Sequence, residues 1–67
     1  MNMIYLNIGK LLKETGKSKY ALVQALRSNY TVINNMIEQN TTGIKFETIE
    51  ILCKFFDCAP SDLFTIE

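Results

Sequence analysis

Within seven residues the chain sets out Asn29, Tyr30, Thr31, Asn34 and Asn35, neutral hydrogen-bonding side chains at a spacing that puts them along the outer side of one helix. Asparagine has a donor and an acceptor side by side, which match the edge that adenine shows in the major groove. Threonine can meet a thymine methyl or a phosphate, and tyrosine can bond to phosphate. Taken singly, each is ordinary solvated helix surface, Asn29 is equally a helix cap, and Tyr30 divides evenly between this role and folding back on the core. Taken together they point to hydrogen-bonded reading of DNA. With neither Arg nor Lys on this helix there is no bidentate fork for guanine, so the expected half-site leans to A/T.

Other chemistries have little to work with. The chain has no histidine and only two cysteines, Cys53 and Cys58, too few for a four-ligand zinc site or a disulfide framework. No nucleophile and base converge in the sequence, so no enzyme, metal, cofactor or small-molecule ligand is expected. Cys53 falls on the apolar face of a helix and reads as a small hydrophobe. Cys58 lies just beyond it, and a redox switch at either thiol is the lesser alternative.

The polar residues must be held by helices, and the apolar spacing shows which. Leu22, Val23 and Leu26, then Val32, Ile33, Met36 and Ile37, recur at helical intervals on both sides of the break Arg27-Ser28-Asn29. Ser18 is the expected cap of a helix from about Lys19 to Leu26, and Asn29 of one from about Tyr30 to Glu38 or Gln39. Ahead of them, Asn7 suits the cap of a helix from Ile8 to about Thr15, ended by Gly16. After the polar run at 39–43, Phe46, Ile49, Leu52, Cys53 and Phe56 form one face of a fourth helix, about Phe46 to Phe56. Ala59-Pro60-Ser61-Asp62 opens a short fifth helix that Leu63 and Phe64 pack down. Met1 to Leu6 reads as an extended arm or strand, and Thr65-Ile66-Glu67 is a candidate to pair with its Met3 to Leu6 part.

At 67 residues the chain is expected to be one domain, 1–67, near the lower size at which a core is self-sufficient and too small for a deep catalytic cleft. No apolar run nears the roughly 20 residues of a membrane span, and the start lacks a secretory leader, so the expected location is cytoplasmic, with no membrane partner. The net charge is zero but unevenly spread. Residues 1–34 hold Lys10, Lys13, Lys17, Lys19 and Arg27 against Glu14, net +4. Residues 35–67 hold Lys45 and Lys54 against Glu38, Glu47, Glu50, Asp57, Asp62 and Glu67, net −4. Such a molecule can turn its positive side to phosphate; accidental clustering on a solvated surface is the alternative.

Five helices in this order, with the second and third joined by a tight turn, resemble the Cro/repressor-type (XRE-like) helix-turn-helix family over nearly the whole chain. The most specific phrases are IGKLLKETGKSKYALVQAL at 8–26 and GIKFETIEILCKFFDCAPSDLF at 43–64. The resemblance implies an all-α, five-helix, lambda-repressor-like domain, to which the terminal segments would add a short two-stranded sheet. Its bihelical unit spans about 19–38. Starting the unit at Lys19 puts Leu22, Leu26, Ile33 and Met36 on the family's apolar positions. The same register puts Val23 where the family prefers a small residue, Arg27 where it prefers glycine and Ser28 where it prefers an apolar one. Arg27 is then either strained or in a turn of another shape.

The resemblance further implies a third helix lying in the major groove of double-stranded DNA, with Asn29, Tyr30, Thr31, Asn34, Asn35 and Glu38 facing it. On that docking Asn34 and Asn35 would be best placed for base edges and Asn29, Tyr30 and Thr31 for a phosphate or the first base. Lys17, Ser18, Lys19, Arg27 and Asn29 would hold the backbone. The implied function is a transcriptional regulator, expected to repress by occupying an operator. A homodimer, at least on DNA, is expected because one module neutralises few phosphates. Ile51 and Phe55, an i, i+4 apolar pair outside the main stripe of the fourth helix, are its candidate interface; burial under the last helix or the terminal arm is the alternative. The rival function is a helix-turn-helix used for protein contact, as in an antitoxin or anti-repressor component.

Overall fold

The computed structural model describes residues 3–67, so Met1 and Asn2 of the expected arm lie outside the described residues. Its elements run β1 (Ile4–Leu6), α1 (Ile8–Thr15), α2 (Lys19–Leu26), α3 (Tyr30–Ile37), α4 (Phe46–Phe56), α5 (Pro60–Leu63) and β2 (Phe64–Ile66). Each helix sends residues to one core: Ile8 and Leu12 from α1, Leu22 from α2, Ile33 and Met36 from α3, Leu52 and Phe56 from α4, and Leu63 from α5. Leu22, Ile33 and Met36 are buried and Leu26 half-buried, which is the register the apolar spacing requires.

The helix ends follow local chemistry. Ser18 and Asn29 cap α2 and α3, each side-chain oxygen accepting from a backbone N–H three residues on, at 3.0 Å. Gly16 ends α1 at φ 70, a left-handed conformation that glycine adopts without a Cβ clash. Asn7 departs from its expected role, since its side chain caps nothing. Its Nδ2 instead donates to the Asp62 carbonyl at 3.1 Å, and its Oδ1 accepts from the Thr65 hydroxyl at 2.8 Å. The residue joins the start of α1 to the end of the chain.

Arg27 keeps the turn's shape and bears the strain. It sits at φ 51, ψ 45, where an L side chain costs about 1–2 kcal/mol. The Ser28 N–H donates to the Val23 carbonyl at 3.0 Å, closing the C-terminus of α2. Arg27→Gly is therefore expected to stabilise the fold by about 1 kcal/mol, which in a domain of this size raises Tm by roughly 4–8 °C. A thermal melt followed by circular dichroism checks it.

Two apolar residues lie outside the places their spacing suggests. Phe46, placed on the core stripe of α4, is 85% exposed, and Val32, grouped with the apolar run of α3, is 38% exposed. Phe46 is the first residue of its helix, one turn before the packed part begins. Periodicity fixes the direction of a side chain, not whether another element reaches far enough to cover it.

The termini form a two-stranded antiparallel sheet in which Ile4 faces Ile66, Tyr5 faces Thr65 and Leu6 faces Phe64. Gln39 seals part of its outer edge. The side-chain Oε1 accepts from the Leu6 N–H at 2.8 Å and Nε2 donates to the Leu6 carbonyl at 2.9 Å, where a third strand would otherwise bond. Gln39 does this from φ 65, so the end of α3 is tied to β1.

Candidate nucleic-acid interface

The packing of α3 assigns its faces. Ile33 and Met36 turn inward, so Asn29, Tyr30, Thr31 and Asn35 are exposed and Asn34 is half-buried beside α2. Tyr30 stays out, at 48% exposure, and does not fold back on the core. Glu38, just past the end of α3, is also exposed. Asn29 already has one lone pair engaged as the helix cap and presents the rest of its amide at the start of α3.

The start of α2 lies against this surface. Lys19, its first residue, reaches across to α3 and its ammonium donates to Asn34 Oδ1 at 2.9 Å. Lys17 points elsewhere, with its ammonium 5.2 Å from the centroid of the Phe55 ring, a cation–π distance. Ser18 has its hydroxyl oxygen committed to the cap, and Arg27 is exposed in the turn. The absence of a cation on α3 thus does not leave its outer face without one, since α2 supplies Lys19. Sequence reasoning placed Lys19 only among residues that hold the backbone. No sequence signal links residues 15 apart on two crossed helices until the crossing itself is known.

Charge is sorted by element. Lys10, Lys13, Lys17, Lys19 and Arg27, all exposed, belong to α1, α2 and their junctions, whereas the exposed Glu47, Glu50, Asp57, Asp62 and Glu67 lie on or beyond α4. A polyanion approaching α2 and α3 therefore meets the basic elements.

Ile51 and Phe55 have different surroundings. Phe55 is half-buried, packed edge-on against Phe56 with ring centroids 4.9 Å apart, and covered by Lys17. Ile51 lines a shallow groove with Leu26, Val32 and Met36, flanked by Lys45 and Glu47. The exposed Phe46 stands between those two charged residues in the chain.

Cys53 and Cys58 are free and half-buried. The Cys58 N–H donates to the Cys53 carbonyl at 3.0 Å across the end of α4. Burial raises the Cys58 thiol above its ordinary value of 9.0, and nearby Cys53, Asp62 and Asp57 raise it further. The thiolate is the nucleophile, so Cys58 is expected to react with iodoacetamide several-fold more slowly in the native protein than in urea at pH 7.5. Because the thiol is raised, the native rate should go on rising with pH beyond the point at which the rate in urea levels off. Mass spectrometry of quenched samples measures both rates. Among the described residues, no three His, Cys, Asp or Glu side chains are grouped to hold a metal ion, and no helix is long and apolar enough to cross a membrane.

Capped helices α2 and α3 joined by a left-handed turn, braced by α1, α4 and α5, and presenting one polar helix face beside a basic one, make a helix-turn-helix domain. The chain belongs to the Cro/C1-type helix-turn-helix DNA-binding domain family, whose model matches residues 7–67. It is a DNA-binding regulator of that general kind. Comparison with curated proteins and with solved structures finds no match.

Proposed function

We propose that this chain is a cytoplasmic, sequence-specific transcriptional regulator that binds duplex DNA as a homodimer and represses by occupying its operator. The observation that carries the reading is the outward polar face of α3, Asn29, Tyr30, Thr31, Asn34 and Asn35, held rigidly by buried Ile33 and Met36 with the basic elements beside it. Asn34, Asn35, Thr31 and Tyr30 meet base edges; Lys17, Ser18, Asn29 and Arg27 hold the backbone. Each half of the dimer reads one half-site, a helical turn from the other. Ile51 serves the dimer better than Phe55, whose ring is already covered by Lys17.

Retardation of a fragment from upstream of its own gene, followed over a salt series, tests the proposal. The logarithm of the affinity should fall linearly with the logarithm of salt, by about 0.9 for each phosphate neutralised. No retardation even at low salt would overturn it.

A protein-contact role, as in an antitoxin or anti-repressor component, has one observation in its favour. Phe46 is 85% exposed beside the Ile51 groove, and a large apolar side chain standing in water is common at protein interfaces. In that case retardation is absent and Phe46→Ala abolishes the partner's binding.

A further inference from the structure

We propose that Lys19 and Asn34 act together as one base-reading unit, whose chemistry selects guanine where a free asparagine would select adenine. The inference rests on α3 being the DNA-reading helix and goes on to name a base that it reads.

Lys19 belongs to α2 and Asn34 to α3, and the Lys19 Nζ donates to Asn34 Oδ1 at 2.9 Å. An ammonium has donors and no acceptor, so only the amide oxygen can face it, and the orientation of the Asn34 amide is set by chemistry. The oxygen is turned toward the cation. What remains for a ligand is one Oδ1 lone pair and the Nδ2 group with its N–H donors, together with the two further N–H bonds of the ammonium.

Adenine recognition by asparagine needs one acceptor for N6–H and one donor for N7. With one Oδ1 lone pair taken by the ammonium, an adenine N6–H can use only the other and would lie beside a cation that has donors alone, so the pair as a whole offers donors in excess. Guanine places two acceptors, N7 and O6, on the same edge. Thymine offers one acceptor, O4, and cytosine presents an amino donor there. Of the four bases only guanine presents two acceptor atoms side by side to a pair of donors. The positive charge strengthens bonds to guanine, because a charge-assisted hydrogen bond is roughly twice as strong as a neutral one.

The arrangement also gives Lys19 a place that a residue bound only to phosphate would lack. Lys19 is exposed and Asn34 half-buried, so both groups keep surface that a base lying along α3 can meet. Asn35, next along the helix and fully exposed, has no such partner among the described hydrogen bonds and keeps the adenine-type pattern.

Selection of duplexes from a randomised pool tests the pair, with the wild-type chain, Lys19→Met and Asn34→Ala carried in parallel. Methionine keeps the length of the stem and removes the donor, at an exposed position where the fold is indifferent. The wild type should enrich guanine at one fixed half-site position. Lys19→Met frees Oδ1, so the same position should turn toward adenine, with the guanine-to-adenine ratio falling about 10-fold or more. Asn34→Ala should lose the preference there without gaining another. If Lys19→Met keeps the wild-type base at that position and only lowers the salt slope by about 0.9, Lys19 holds a phosphate and the pairing is overturned. If the wild type retains no duplex at low salt, the DNA reading itself falls and the pairing with it.

Discussion

Ile33→Ala is expected to remove most of the stability of the fold, whereas Val32→Ala, one residue away, should cost well under 1 kcal/mol. Ile33 is fully buried where α3 meets the core, and Val32 is 38% exposed. Truncating a buried isoleucine to alanine costs about 2–5 kcal/mol, the lost transfer energy adding to the cavity left behind. At roughly 0.05–0.15 kcal/mol per residue, a chain this short has only about 3–10 kcal/mol in all. Urea denaturation followed by circular dichroism measures both variants. Equal losses at 32 and 33 would mean that α3 is rotated, and the outer face assigned to it would then be the wrong one.

Asn35→Glu is expected to weaken DNA binding about 100-fold at 0.1 M salt while leaving the melting temperature nearly unchanged. The residue is exposed on the outer face of α3, and what it gives the fold is its backbone carbonyl, which accepts from the Asn40 N–H at 2.8 Å whatever the side chain, so a glutamate there is tolerated by the free protein. On DNA the substitution removes an amide able to bond a base edge, worth about 1–3 kcal/mol, and brings a carboxylate against phosphate charge. Glu50→Gln, on the exposed side of α4, should leave affinity unaltered. Fluorescence anisotropy of a labelled duplex compares the two. A gain for Glu50→Gln as large as the loss for Asn35→Glu would show that charge alone, and not the position on α3, governs binding.

The helices were legible because they depend on local chemistry. Ser18, Asn29 and Gly16 mark their ends through caps and a left-handed turn, and the spacing of Leu22, Leu26, Ile33 and Met36 sets their faces. The terminal sheet was legible as a match of two β-permissive ends. Less visible was whatever depended on how elements meet in space. Asn7 looked like a cap, but the returning C-terminal segment offers its side chain better partners. Phe46 continues an apolar stripe yet lies beyond the reach of any neighbour, and Gln39 read as part of a polar loop while its amide bonds both polar groups of Leu6. Arg27 announced strain without saying whether the turn would yield; the left-handed conformation is kept. The Lys19–Asn34 bond crosses two helices, and the sequence holds no record of that crossing.

The central claim is that the outer face of α3, with the start of α2, is the surface that meets DNA. Its most direct test is a two-dimensional amide NMR titration with a duplex recovered by retardation. Backbone shifts should be concentrated at Lys17, Ser18 and Lys19 and at Asn29, Tyr30, Thr31, Asn34 and Asn35, with the side-chain amides of Asn34 and Asn35 among the largest. Residues of the acidic side, Glu47, Glu50, Asp57 and Asp62, should stay in place. Shifts centred on α4, at Phe46 and Ile51, with the outer face of α3 unmoved, would contradict the account.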